Sequence, residues 1–177
     1  MKRTPLTIKD MAYCAICAAL LAISSWICVP VLQISFTMQS FAVFLALGLL
    51  GGRRGTISIV IYLLLGIVGF PVFSGFRGGV SVLLGVTGGY IWGFLLAALL
   101  YWAVTALLGN RFRVRLISMA LGMLVCYICG TAWYLHLYGG NFWAVFVTCV
   151  VPYLLPDGVN IALAVSLAER MKQVICE

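Results

Sequence analysis

The chain has 177 residues, of which 64% are hydrophobic and only 8% charged, with a mean hydropathy of +1.17. Soluble domains carry about 25% charged residues, so this composition excludes a soluble globular protein. Long uninterrupted apolar runs, in place of short alternating ones, exclude a β-barrel and predict an all-α membrane protein forming one domain over residues 1–177. The length accommodates six spans of roughly 20 residues each.

Residues 1–10 hold Lys2, Arg3, Lys9 and Asp10, and Met11–Leu32 then runs 22 residues without a charge. That is span length, longer than the apolar region of a signal peptide, and it predicts span 1. Ala15 and Ala19, and Ala18 and Ala22, are spaced i, i+4 in it. Such spacing places small residues in a stripe where another helix can approach closely, although alanine is also common in helices for no such reason.

Pro30 to Gln39 is a polar-tinged connection, with Gln33, Ser35 and Thr37 between. Span 2 is expected from about Met38 to Leu50 and span 3 from about Thr56 to Gly69, joined by the basic turn Gly51-Gly52-Arg53-Arg54-Gly55. That turn lacks the Gly-Lys-Ser/Thr ending of a phosphate loop, which removes a nucleotide-binding reading.

Gly69–Tyr90 holds seven of the 19 glycines, Pro71 and the isolated Arg77. A helix of this composition loses roughly 1 kcal/mol per glycine. Irregular backbone at membrane depth is tolerated where it is buried in protein or lines a cavity. The expectation is an irregular segment after helix 3 that walls a substrate cavity with Arg77 facing inward; a solvated outer loop is the competing reading. Span 4 follows at about Gly85–Leu108, then a second basic turn with Arg111, Arg113 and Arg115. Span 5 is expected at about 116–135. Tyr138–Pro156, with Phe142, Trp143, Phe146 and Tyr153, suits a helix or loop at the membrane interface. Span 6 starts near Pro156-Asp157 and runs to Lys172.

In this arrangement ten of the eleven Lys and Arg residues fall at the termini, the 2–3 turn and the 4–5 turn. The positive-inside rule makes those segments, and both termini, cytoplasmic. The net charge of +7 is then a topology signal and gives no reason to invoke nucleic acid. Arg77 and Asp157 remain as the only outer cation and acid. Charged groups in membrane segments usually face a cavity or a partner. Asp157 suits both a ligand role and helix N-capping. Asn160, three residues on, shares its helix face, and Gln39, Thr87 and Tyr90 are further polar candidates.

Seven cysteines include two C-x-x-C pairs, Cys14/Cys17 and Cys126/Cys129. Both lie in apolar helical runs without polar neighbours, so packing is favoured over metal. His136 has no acid in its segment and reads as a packed or interfacial histidine. No nucleophile–base–acid set can be assembled, so an enzyme is not expected; a small lipid-modifying enzyme would have only Asp157 and His136 to work with. No cofactor is expected.

An ordered set of pieces resembles the BioY family, the biotin-specific substrate-binding S components of energy-coupling factor (ECF) transporters. These are Thr37-Met38-Gln39, Gly51-Gly52-Arg53-Arg54-Gly55, Tyr62 through Gly66, Gly69-Phe70-Pro71-Val72-Phe73, Gly78-Gly79, Thr87-Gly88-Gly89-Tyr90, Pro152 and Pro156-Asp157. The resemblance implies a six-helix subunit of the bacterial plasma membrane that captures biotin from outside. Its implied partners are membrane lipids, a transmembrane coupling protein and two ATP-binding subunits, with the alanine stripe as the docking face. In the family, an acid at the position of Asp157 and a lysine three residues later contact the fused rings of biotin; this chain has Asn160 at the second position. Val86 and Ile91 also depart from the family pattern. The implied site is Asp157 accepting ureido N–H groups, Asn160 donating to the ureido carbonyl and Arg77 holding the valerate carboxylate. An S component for another small vitamin is the alternative within transport.

Overall fold

The computed structural model describes residues 6–31 and 34–175. Lys2, Arg3, Gln33, Cys176 and Glu177 lie outside the described residues. The elements are α1 (Ile8–Trp26), β1 (Cys28–Val31), β2 (Ile34–Thr37), α2 (Gln39–Val68), α3 (Val80–Leu84), α4 (Gly88–Leu108), α5 (Phe112–Tyr138), α6 (Phe142–Cys149) and α7 (Val151–Ile175). Five of these, α1, α2, α4, α5 and α7, are long and apolar enough to cross a membrane.

The expected span 1 ran to Leu32, but α1 stops at Trp26 and an antiparallel β1–β2 hairpin follows, pairing Cys28 with Thr37. β-Branched Val29 and Val31 flank Pro30, and the residue before proline is pushed out of helical geometry. The fold is therefore helical with one small hairpin. At the other end of α1, Thr7 and Asp10 form a capping box, and Asp10 pairs with Arg54 at 3.1 Å.

The expected spans 2 and 3 are the two arms of α2. Gly51 has φ 77 and ψ 175, a left-handed conformation that glycine adopts without the Cβ penalty. The chain reverses there: in a straight helix Gln39 and Tyr62 would stand about 34 Å apart, yet Gln39 Nε2 donates to the Tyr62 hydroxyl at 3.1 Å. The arms pack closely, since a Cβ on Gly55 would lie 2.9 Å from the Leu47 Cα.

α5 buries Arg115, Met119, Met123, Cys126, Tyr127 and Thr131, and α7 buries Tyr153, Asp157, Asn160, Ile161, Ala164 and Ala168. Spacings of three and four residues give each helix one inward face. α7 begins at Val151, earlier than the Pro156-Asp157 start expected, so Asp157 stands inside the helix and is no N-cap. α6 occupies the aromatic segment before it, with the Asn141 side chain accepting from the Trp143 N–H at 2.9 Å as its N-cap.

The alanines of α1 divide. Ala18 and Ala22 are buried in the protein's own core, whereas Ala15 and Ala19 are exposed. Of the four alanines expected to form a docking stripe, only Ala15 and Ala19 are therefore at the surface.

Candidate functional site

The glycine-rich stretch does form a cavity wall. Phe73, Ser74, Val82, Thr87 and Tyr90 from it line a cavity with about 720 Å³ of empty space, including its mouth. Phe36 and Thr37 from β2, Gln39 and Ser40 from α2, Phe94 from α4, and Met123, Cys126 and Tyr127 from α5 complete most of the lining. Cys149, Tyr153 and Asp157 close it from α6 and α7. The mostly apolar, aromatic walls with few polar groups are typical of sites for small organic molecules.

Local backbone explains why the stretch reaches inward. Phe73 N–H donates to the Arg77 carbonyl at 2.9 Å, closing a tight turn in which Gly75 (φ 73) and Phe76 (φ 57) are both left-handed. Trp26 ties this turn to α1: its Nε1 donates to the Pro71 carbonyl at 2.8 Å, and its ring stacks on Phe76 with centroids 4.8 Å apart. The Phe73 ring is driven against Gly66, where any side chain would collide with it, and meets Tyr62 edge-on.

The polar centre is Asp157, buried at 5% exposure. The Ser40 hydroxyl donates to its Oδ1 at 2.6 Å and the Tyr127 hydroxyl to its Oδ2 at 2.6 Å. Asn160 Nδ2 donates to the Ser40 oxygen at 3.0 Å and to Asp157 Oδ1 at 3.4 Å. Among the described residues Asp157 makes no ion pair. A buried carboxylate without a cation is tolerable only if hydrogen bonds replace water, and here three neutral donors do so. A carboxylate offers about four lone-pair sites, two on each oxygen. Among the described residues Oδ1 accepts twice and Oδ2 once, which leaves one acceptor site on Oδ2.

Of the residues expected from the sequence, Asp157, Gln39, Thr87 and Tyr90 come together on this cavity. The Tyr90 hydroxyl donates to the Cys149 carbonyl at 3.3 Å, pinning α4 to α6. Asn160 stands behind Asp157 and is not among the lining residues. Arg77 does not face inward: its side chain is exposed, and its Nε donates to the Ser74 carbonyl at 3.2 Å. The tight turn that aims Phe73 at the core aims Arg77 outward. Ser74 lines the cavity, so this cation nevertheless sits against a residue of its wall.

Sequence reasoning missed Ser40 and Tyr127. Ser40 follows Gln39 in the first turn of α2, and Tyr127 sits between Cys126 and Ile128 in an apolar run. A tyrosine at a buried helix position, whose hydroxyl needs a partner, is the signal that could have found the second.

The chain matches the model of the BioY family over residues 1–176. A probable biotin transporter BioY from Pyrococcus horikoshii is 39% identical over 164 residues, covering 93% of this chain and 96% of that protein. The biotin transporter BioY of Thermotoga maritima is 34% identical over 172 residues, covering 96% and 99%. A crystal structure of the S-component for biotin from an ECF-type ABC transporter superposes with a TM-score of 0.86 at 25% identity, over 94% of this chain and 92% of that one. With a match that runs from end to end and relatives covered almost completely, the chain belongs to the BioY family.

Proposed function

We propose that this chain is the biotin-binding membrane subunit of an ECF-type uptake transporter, taking biotin from the extracellular side and carrying out no catalysis. The observation that supports it best is the buried carboxylate of Asp157, set in an apolar and aromatic cavity with one oxygen site unspent among the described residues. Biotin offers a matching pattern: a ureido N–H to donate to that oxygen, an apolar fused ring for the aromatic walls, and a carboxylate at the end of a chain. In this reading Ser40, Tyr127 and Asn160 hold Asp157, while Gln39, Thr87 and Tyr90 line the ring and chain. Arg77, exposed and bonded to the wall residue Ser74, attracts the carboxylate.

The α2 hairpin supports six membrane-crossing segments, with α1, both α2 arms, α4, α5 and α7 each making one. The basic ends support cytoplasmic termini in the plasma membrane. The exposed Ala15 and Ala19 support docking of a transmembrane coupling protein, itself driven by two ATP-binding subunits. Asn160 in place of a lysine favours, as a second reading, an S component for another small vitamin.

Thermal stabilisation of the purified protein across a vitamin panel tests the proposal, since a ligand that binds only the folded state stabilises it by about 2.7 kcal/mol at a hundred times its Kd. Stabilisation by micromolar biotin is expected. No response to biotin together with a response to another vitamin would establish the second reading instead.

A further inference from the structure

The charge on Asp157 is solvated by the protein but not neutralised. Asn160 Nδ2 donates to the Ser40 oxygen at 3.0 Å, and the Ser40 hydrogen goes to Asp157 Oδ1 at 2.6 Å. The Tyr127 hydroxyl reaches Oδ2 at the same 2.6 Å. O–H···O contacts of about 2.5–2.7 Å are those of hydroxyls donating to an ionised carboxylate. Hydroxyl and amide donors carry no charge, so they replace water around the carboxylate without cancelling it. Among the described residues no lysine, arginine or histidine lines the cavity, and Asp157 is the one charged residue that does. Arg77 keeps its side chain exposed, with Nε on the Ser74 carbonyl.

The walls beside the carboxylate suit the opposite sign of charge. Tyr153 precedes Asp157 by four residues on α7, so the two share a helix face, and both line the cavity. The Phe36 ring, also in the lining, lies nearly parallel to that of Tyr153, at 14° with centroids 6.3 Å apart. Tyr127 brings a further ring to the carboxylate through its hydroxyl. Aromatic faces carry negative potential and attract a cation within about 6 Å of the ring centroid. A carboxylate and aromatic rings opening on one cavity thus act on a positive charge in the same direction. Burying an ion pair ordinarily costs the desolvation of both ions. Folding has already desolvated Asp157, so only the desolvation of an incoming cation stands against the attraction.

We propose that the cavity takes cationic ligands: a small organic molecule whose polar end sets an amidinium, guanidinium or ammonium group against Asp157, with an apolar body between the aromatic walls. Such a ligand fills the open acceptor site on Oδ2 as a neutral N–H does, and adds the positive charge that no described lining residue supplies. This rests on reading the cavity as the ligand site and goes beyond biotin, whose ureido group is neutral. A cyclic urea and a cyclic guanidinium of the same shape present the same pair of ring N–H groups, so their comparison isolates the charge.

Iminobiotin has the rings and side chain of biotin with a guanidine in place of the urea, and guanidines are protonated at neutral pH. Isothermal titration of the purified full chain with each compound at neutral pH measures the preference. Iminobiotin is expected to bind at least tenfold tighter than biotin. Asp157→Asn, which keeps the shape and removes the charge, is expected to bring the two Kd values together or reverse their order. A wild-type Kd for iminobiotin equal to or above that of biotin would overturn the inference, as would a tenfold preference that survives in Asp157→Asn. If Asp157→Asn does not fold, the wild-type comparison decides alone. Binding of biotin without iminobiotin would overturn the inference and leave the proposed function standing. Binding of iminobiotin without biotin would do the reverse, and binding of neither would overturn both.

Discussion

Ser40 and Asp157 are 117 positions apart, and the Ser40 hydroxyl donates to Asp157 Oδ1 at 2.6 Å. This one bond joins the first arm of the α2 hairpin to the last helix, and Tyr127 closes the triangle from α5. Three helices thus meet on one carboxylate, so binding strength should depend on the whole set.

Hydrogen bonds to a charged group contribute about 1.5–3 kcal/mol, or roughly ten- to hundredfold in affinity. Tyr127→Phe and Ser40→Ala are each expected to weaken biotin by that factor, and Asp157→Ala by at least as much. Isothermal titration or equilibrium dialysis in detergent measures this. Wild-type affinity in Asp157→Ala would remove the carboxylate from the site.

Arg77 is exposed, which limits what it can contribute to the bound state, because exposed ion pairs contribute at most about 1 kcal/mol. It can still steer an anion toward the mouth, an effect screened over about 10 Å at 0.1 M salt. Arg77→Ala is expected to slow biotin association several-fold at low salt, with little change in dissociation. Stopped-flow binding at two ionic strengths checks this; a faster dissociation with unchanged association would mean that Arg77 grips the bound carboxylate.

Gly66 leaves room for the Phe73 ring, and a methyl group there collides with it. Overpacking of this kind costs about 1–3 kcal/mol. Gly66→Ala should lower the melting temperature and weaken ligand binding together, since Phe73 is displaced from the cavity wall. Pairing it with Phe73→Leu should recover part of the stability. Equal melting temperatures for Gly66→Ala and wild type would contradict the packing described.

The alanines of α1 give a paired test. Ala18→Leu intrudes on a position that is only 2% exposed and should destabilise the protein by about 1–3 kcal/mol. Ala15→Leu is on the open face and should leave both stability and biotin binding intact, while lowering uptake by cells that supply the coupling and ATP-binding subunits. Normal uptake by Ala15→Leu would argue against docking on that face.

What the sequence determined by itself was whatever depends on local composition. The apolar runs made a helical membrane protein inevitable, the Gly-Gly-Arg-Arg-Gly turn separated two helical arms, and seven glycines marked Gly69–Tyr90 as irregular backbone, which the structure bears out only in part, since α3 (Val80–Leu84) and the start of α4 at Gly88 fall inside it. The isolation of Asp157 among apolar residues was equally visible, because an uncompensated acid stands out in one dimension. Tertiary structure decided which groups meet. Ser40 and Tyr127 became partners of Asp157 only once α2, α5 and α7 packed, and hydrogen bonds of that kind leave no periodicity to read. It also decided direction. A tight turn with two left-handed residues, Gly75 and Phe76, sent Phe73 into the core and Arg77 outward, and the sign of such a turn depends on backbone geometry that residue counts do not carry.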